Sequence, residues 1–151
     1  GSLTLLQNTS SGAGGNDVVL VGDGANIVVG GFGNDTIVNF AATGLGIDVL
    51  DFSSLGGRGT AALNSLSADK SIVIAAEAAT PLTTTQIAAL FTDSATAMTH
   101  VYVAYNSNNI GSVYTVTDAA GTAAGNVTAT LVGTIDLADT GWATLTAANF
   151  G

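Results

Sequence analysis

The stretch "GGFGNDTIV", residues 30–38, sets three glycines in its first four positions, then Asn34 and Asp35, then the strand formers Thr36, Ile37 and Val38. It does not stand alone. The same form occurs nine residues earlier in "VGDGANIVV" (21–29) and nine earlier again in "GAGGNDVVL" (12–20). It returns in "TGLGIDVLD" (43–51) after a four-residue insertion, Asn39 to Ala42. Glycine stands at positions 2 and 4 of each unit, with Ala13 the one departure. Position 6 is Asp17, Asn26, Asp35 or Asp48, and position 8 is Val19, Val28, Ile37 or Leu50. A fixed short period marks a repeat architecture.

Glycine at positions 2 and 4 permits positive φ and close backbone approach, so six residues suffice for a tight turn with inward carbonyls. The three residues after position 6 make a short strand in which only the middle side chain faces inward. Two units then complete one coil: turn, strand, turn, strand. Residues eighteen apart stack, which sets Asp17 beside Asp35 at the ~4.8 Å spacing of paired strands. Two carboxylates that close repel by about 1 kcal/mol in water and about 3–4 kcal/mol at an effective dielectric near 20. No lysine or arginine stands nearby, so the arrangement calls for a hard divalent cation that accepts carboxylate and carbonyl oxygens together, which is calcium. Asn26 and Asp48 are twenty-two apart, one coil plus the insertion. They face each other on condition that residues 39–42 bulge outward, and their lower charge implies weaker binding.

Composition agrees. Eleven acidic residues against only Arg58 and Lys70 give a net charge of −9. That balance argues against nucleic acid or an anionic membrane as partner. Hydrophobic residues make up 47% of the chain, too many for a disordered acidic tail. The absence of cysteine excludes disulfides and thiolate ligands, and no apolar run approaches the ~20 residues of a membrane-spanning helix. The leading Gly1-Ser2 looks like a cloning remnant, and the chain reads as a piece of a longer protein.

Fourteen of the twenty glycines fall within residues 1–59, the repeat domain. From residue 60 to 151 the texture turns to Ala, Thr and Ser with conventional elements. "KSIVIAA" (70–76) reads as a strand. "TTTQIAALF" (83–91) reads as a short helix with Thr83 and Gln86 at capping-box spacing and Ile87, Leu90 and Phe91 on one face. "HVYVAY" (100–105) and "SVYTVT" (112–117), joined by "NSNNIG", read as a hairpin, and "NVTATLVGTIDL" (126–137) as a further strand.

The repeats resemble the RTX (repeats-in-toxin, hemolysin-type) calcium-binding nonapeptide, closely over 12–38 and less so over 43–53. "GIDVLDFSSL" (46–55) resembles the segment that closes such rolls. The resemblance implies an all-β chain: a short parallel β-roll over 1–59, then a small β-rich capping domain with one short helix over 60–151. It implies calcium held by Asp17, Asp23, Asn26, Asp35, Asp48 and Asp51 together with turn carbonyls at Gly12, Gly14, Gly15, Gly22, Gly24, Gly31, Gly33, Gly44 and Gly46. It also implies bacterial export by type I secretion machinery, with Asp136, Asp139 and "TLTAANFG" resembling an uncleaved C-terminal signal. Only about four repeats are present, Ala13 and Val21 replace consensus glycines, and Asn26 replaces an aspartate, so fewer ions are expected than in long arrays.

Other residues carry plainer readings. Asp51 either ligates calcium or caps its strand. "GDGANIVVGG" is no nucleotide fingerprint, because no long helix follows and an acidic turn repels phosphate. His100, the single histidine, reads as a strand-start residue, and no nucleophile elbow accompanies it. Trp142, Tyr102, Tyr105 and Tyr114 suit core packing better than a sugar site. Val18, Leu20, Ile27, Val29 and Val38 stand at outward strand positions, so the capping domain is expected to cover one sheet and a neighbouring module or second subunit the other. The expected function is a non-enzymatic calcium-binding module of a secreted protein, folding where calcium is near millimolar. The parent is either an S-layer or adhesin-like surface protein or an exoenzyme (protease, lipase or epimerase). A metal-free scaffold is the third reading.

Overall fold

The computed structural model describes residues 3–6, 18–20, 26–29, 34–44, 46–58, 62–123 and 125–151. They form a mainly β protein with one short α-helix among the described residues. Five short strands come first: β1 (Leu3–Leu6), β2 (Val18–Leu20), β3 (Asn26–Val29), β4 (Asn34–Val38) and β5 (Val49–Asp51). They alternate between two sheets. β1, β3 and β5 make a three-stranded sheet, while β2 and β4 lie at one end of a six-stranded sheet.

Every pairing among these five is parallel. β2 lies on β4 with Val18 opposite Thr36 and Val19 opposite Ile37, an offset of eighteen. β3 lies on β5 with Ile27 opposite Val49, an offset of twenty-two. The nine-residue period thus reappears as ladder register, lengthened on one side by the insertion. Side chains follow the two-residue alternation of a strand. In β4 Asp35 and Ile37 are buried while Thr36 and Val38 are half-buried, and in β5 Leu50 is buried between half-buried Val49 and Asp51.

The insertion does not meet the condition set for the Asn26–Asp48 edge. Instead of bulging outward, it turns in: Phe40 is 2% exposed and Ala42 is also buried. Burying a phenylalanine is worth about 1.5–3 kcal/mol, which favours the inward turn. Asn39 adopts the left-handed region (φ 64) to start the inward turn. The Asn39 amide donates to Asp139 Oδ2 at 2.7 Å, and the Phe40 carbonyl accepts from the Thr140 hydroxyl. The twenty-two-residue register is kept all the same.

The second half supplies β6 (Ile72–Ala76), α1 (Thr84–Ala88), β7 (Met98–Tyr105), β8 (Ile110–Asp118) and β9 (Val127–Leu137). The large sheet runs β2-β4-β9-β8-β7-β6. β9 pairs parallel to β4 and antiparallel to β8, so one hydrogen-bonded sheet draws strands from both halves of the chain. The β7–β8 turn is set by Asn106, whose Oδ1 accepts from the amides of Asn108 and Ile110 at 2.9 and 3.1 Å. Thr83 caps α1 as the spacing predicts: its hydroxyl accepts from the Gln86 amide and Gln86 Oε1 accepts from the Thr83 amide. Ile87 and Phe91 are buried, but Leu90 is 41% exposed, because α1 ends at Ala88 and the next turn closes with i→i+3 bonds.

One core joins the two halves. Ile37, Phe40, Leu50 and Phe52 pack with Ile72, Val101, Val103, Val113, Ile135, Leu137, Trp142 and Phe150. The chain end closes on the repeat segment: Phe150 bridges Leu50, the Gly151 amide donates to the Leu50 carbonyl at 3.0 Å, and the Phe52 and Phe150 rings lie 6.0 Å apart. Trp142 and Tyr102 are core residues, and Tyr105 and Tyr114 pack at its margins. Trp142 lies so close over β8 that a Cβ on Gly111 would meet its ring at 2.6 and 2.7 Å and Val103 at 2.8 Å. Gly111→Ala therefore overpacks the core, and a loss of about 1–3 kcal/mol is expected. It is read as a lower urea midpoint with unchanged slope.

Candidate functional site

The candidate residues begin with the turn that opens β5. Gly44 and Gly46 both take positive φ, 97 and 88, the conformation for which positions 2 and 4 of the repeat require glycine. Around Gly44 an added Cβ would meet nothing within 4 Å, so its constraint is conformational rather than steric. The turn delivers Asp48 into the interior, where it is fully buried. Its Oδ2 accepts from the Ala41 amide at 2.6 Å, and its own amide donates to the Ala41 carbonyl at 2.8 Å. Asn149 seals the loop, its Nδ2 donating to the carbonyls of Ala42 and Asp48 at 3.0 and 3.1 Å. Asp48 thus has a structural partner for one carboxylate oxygen.

Asp35 stands in β4 opposite Ile135 of β9 and is 3% exposed, on the same side as Ile37. Asn26 is the first residue of β3, opposite Leu3; one step before the Ile27–Val49 pair, the ladder register brings it level with Asp48. Asp51 ends β5 and accepts from the Ser53 amide at 2.8 Å, the capping arrangement. Asp17, Asp23, Gly12, Gly14, Gly15, Gly22, Gly24, Gly31 and Gly33 lie outside the described residues. Among the described residues no group of three or more His, Asp or Glu side chains gathers around one point, and no helix is long and apolar enough to cross a membrane. Of the two basic residues, Arg58 donates Nη1 to the Ala147 carbonyl at 2.8 Å and Lys70 is exposed.

A polar pair that spacing alone does not announce lies in the second half. Ser71 and His100 are twenty-nine apart in sequence, yet parallel pairing of β6 and β7 brings them together, and both are fully buried. Ser71 Oγ donates to the Ser65 carbonyl at 2.6 Å and lies 2.8 Å from His100 Nδ1. With the hydroxyl proton so used, Nδ1–H is assigned as donor to Oγ. The imidazole lies tilted against Phe91, ring centres 4.7 Å apart and planes at 33°. Burial lowers the His100 pKa below its usual 6.5, opposed by Asp69, the Ala68 carbonyl and Asp118. Enclosed in this way, the Ser71 hydroxyl presents no surface to a substrate.

Comparison with protein-family models, with curated proteins and with solved structures returned no match for this chain.

Two outcomes are expected from this geometry. Asp48→Ala leaves the half-buried Ala41 amide without its acceptor and is expected to cost about 1–3 kcal/mol, whereas Asp48→Asn keeps an acceptor and loses less. Chemical denaturation of the two variants measures the difference. For His100, the folded pKa lies below the unfolded value of 6.5, so only the unfolded chain takes up the proton just below that pH. Its contribution is fully present above 6.5 and is lost as pH falls from there through the lowered folded pKa. Urea midpoints compared with those of His100→Gln should show a shallower acid limb in the variant.

Proposed function

We propose that this chain is a calcium-binding module of a secreted bacterial protein, in which residues 1–59 wind as a short parallel β-roll of RTX type and fold on binding the ion. The observation that carries the proposal is the parallel register of eighteen between β2 and β4. Two nine-residue units per coil is the winding that aspartate-bearing turns need in order to meet. The twenty-two-residue register of β3 on β5, the inward Ile37 and Leu50 and the positive φ of Gly44 and Gly46 support the same winding.

The donor set fits a hard cation. Buried carboxylates at the starts of strands, beside turns rich in backbone carbonyls and short of basic side chains, suit an oxygen-preferring divalent ion. Calcium, when bound, supplies the positive charge that offsets carboxylate repulsion. The chain's own residues do the rest: the glycines turn the backbone, Ile37 and Leu50 fix the strand faces inward, and Asp35 on the β4–β9 side presents its carboxylate. Asp17 as its partner is a requirement of the proposal. With one carboxylate where the other edge has two, the Asn26–Asp48 edge is the weaker position. With metal binding and folding coupled, affinities of about 10⁻⁴–10⁻³ M make folding depend on extracellular calcium. The role is non-enzymatic, within a surface protein of the S-layer or adhesin kind exported by a type I system.

Circular dichroism with and without EGTA, followed by calcium titration, tests the coupling. The β signal should fall on chelation and return with calcium. Asp35→Ala should raise the calcium midpoint at least tenfold, while Asp93→Ala leaves it within twofold. A spectrum indifferent to EGTA, or equal shifts in the two variants, rejects the proposal.

A further inference from the structure

We infer that the exposed edge of β9, centred on Ala129, is a self-association surface that pairs antiparallel with the same edge of a second copy. β9 is eleven residues long, but β4 pairs only with Thr134–Leu137, beyond the irregularity at Val113/Tyr114. Along Val127–Leu131 the strand pairs with β8 on one side, and among the described residues no strand takes the other. The open main-chain groups of such an edge are a template for another strand.

Two of the usual protections, charge and proline, are missing. Residues Ala119 to Ile135 contain neither charge nor proline. Leu131, at 53% the most exposed large hydrophobic among the described residues, sits on this stretch. A groove of about 520 Å³ opens beside the strand, with α1, Phe91 and Asp93 on one side and Val127–Ala129 on the other.

The side chains identify the occupant. Turned about Ala129, the run Val-Thr-Ala-Thr-Leu matches itself: Val127 meets Leu131 of the second copy, Thr128 meets its Thr130, and Ala129 meets Ala129. Aliphatic and Thr–Thr crossings are favourable cross-strand pairs, and Leu131 gains cover from Val127. A chain of net charge −9 repels its own copy over most of its surface. The strand itself is uncharged from Ala119 to Ile135, with Asp93 lining the adjoining groove, so it sets no charge of its own against a second copy and offers none to a charged partner. With five residues a side, the contact belongs to the weak class of interfaces.

The test is light scattering after size exclusion on the whole chain in excess calcium, over a concentration series. The wild type should approach twice the monomer mass as concentration rises. Thr128 and Thr130 are exposed, so substitutions there spare the fold, and circular dichroism checks that. The double change Thr128→Glu, Thr130→Glu sets carboxylates against each other at both crossings and should leave a monomer. Thr128→Lys, Thr130→Glu sets opposite charges at the same crossings and should restore the dimer. A monomeric wild type, or a doubly glutamate-substituted chain that still dimerises, overturns the inference. A monomeric lysine–glutamate variant overturns the register centred on Ala129.

Discussion

Strand β4 is gripped along both edges by parallel hydrogen-bonded ladders, to β2 on one side and to β9 on the other. Five residues long, it has too little apolar surface to be stable alone. Its alternation fixes the rest. Ile37 turns into the common core and Asp35 turns in with it. A slip of one residue would expose both and bury Thr36 and Val38 instead. The repeat segment therefore takes its orientation from β9, and the buried position of Asp35 depends on a strand a hundred residues further along the chain.

That dependence explains what the sequence makes legible. Periodicities and turn chemistry are local, and they carry through: the nine-residue unit reappears as offsets of eighteen and twenty-two, Thr83 and Gln86 form their capping box, and "NSNNIG" closes a hairpin. Contacts between distant segments leave no such trace. Nothing in "NVTATLVGTIDL" says that its last four residues join β4, nor does "AANFG" announce that Phe150 will bridge Leu50. The inward turn of residues 39–42 was hidden because an insertion read only for length omits what Phe40 gains by burial. At the candidate site, the inward side chain of Leu50 and the positive φ of Gly44 and Gly46 were legible, and the full burial of Asp48 was not. Its bond to Ala41 depended on where the insertion went.

Asp48 shows how one residue serves two demands. Full burial of a carboxylate is unfavourable unless its oxygens are satisfied, and the Ala41 amide at 2.6 Å answers part of that need. The loop from 41 to 48 is thereby tied at both ends, with Asn149 bracing it from the chain terminus. Asp35 stands in β4 opposite Ile135 of β9, one residue before the Thr36–Val18 pair of the ladder to β2. The two aspartates occupy the same place in the repeat but have different neighbours. Their proposed cation affinities rank with Asp35 ahead, because its proposed partner Asp17 brings a second carboxylate whereas Asp48 faces Asn26.

Charge is divided along the chain in a way that bears on both proposals. Five carboxylates fall within residues 1–59 with one arginine, and none falls between Ala119 and Ile135. Like charges packed close oppose the compact state, while a neutral edge offers nothing to oppose a neighbouring chain. In the proposed mechanism a cation relieves the first problem by bringing the turns together. It lowers the chain's net negative charge in the same step, which weakens the repulsion between whole molecules. Filling the turns would then favour pairing at β9 without any contact between the two places, a linkage carried by the long-range field alone and reduced as salt screens it.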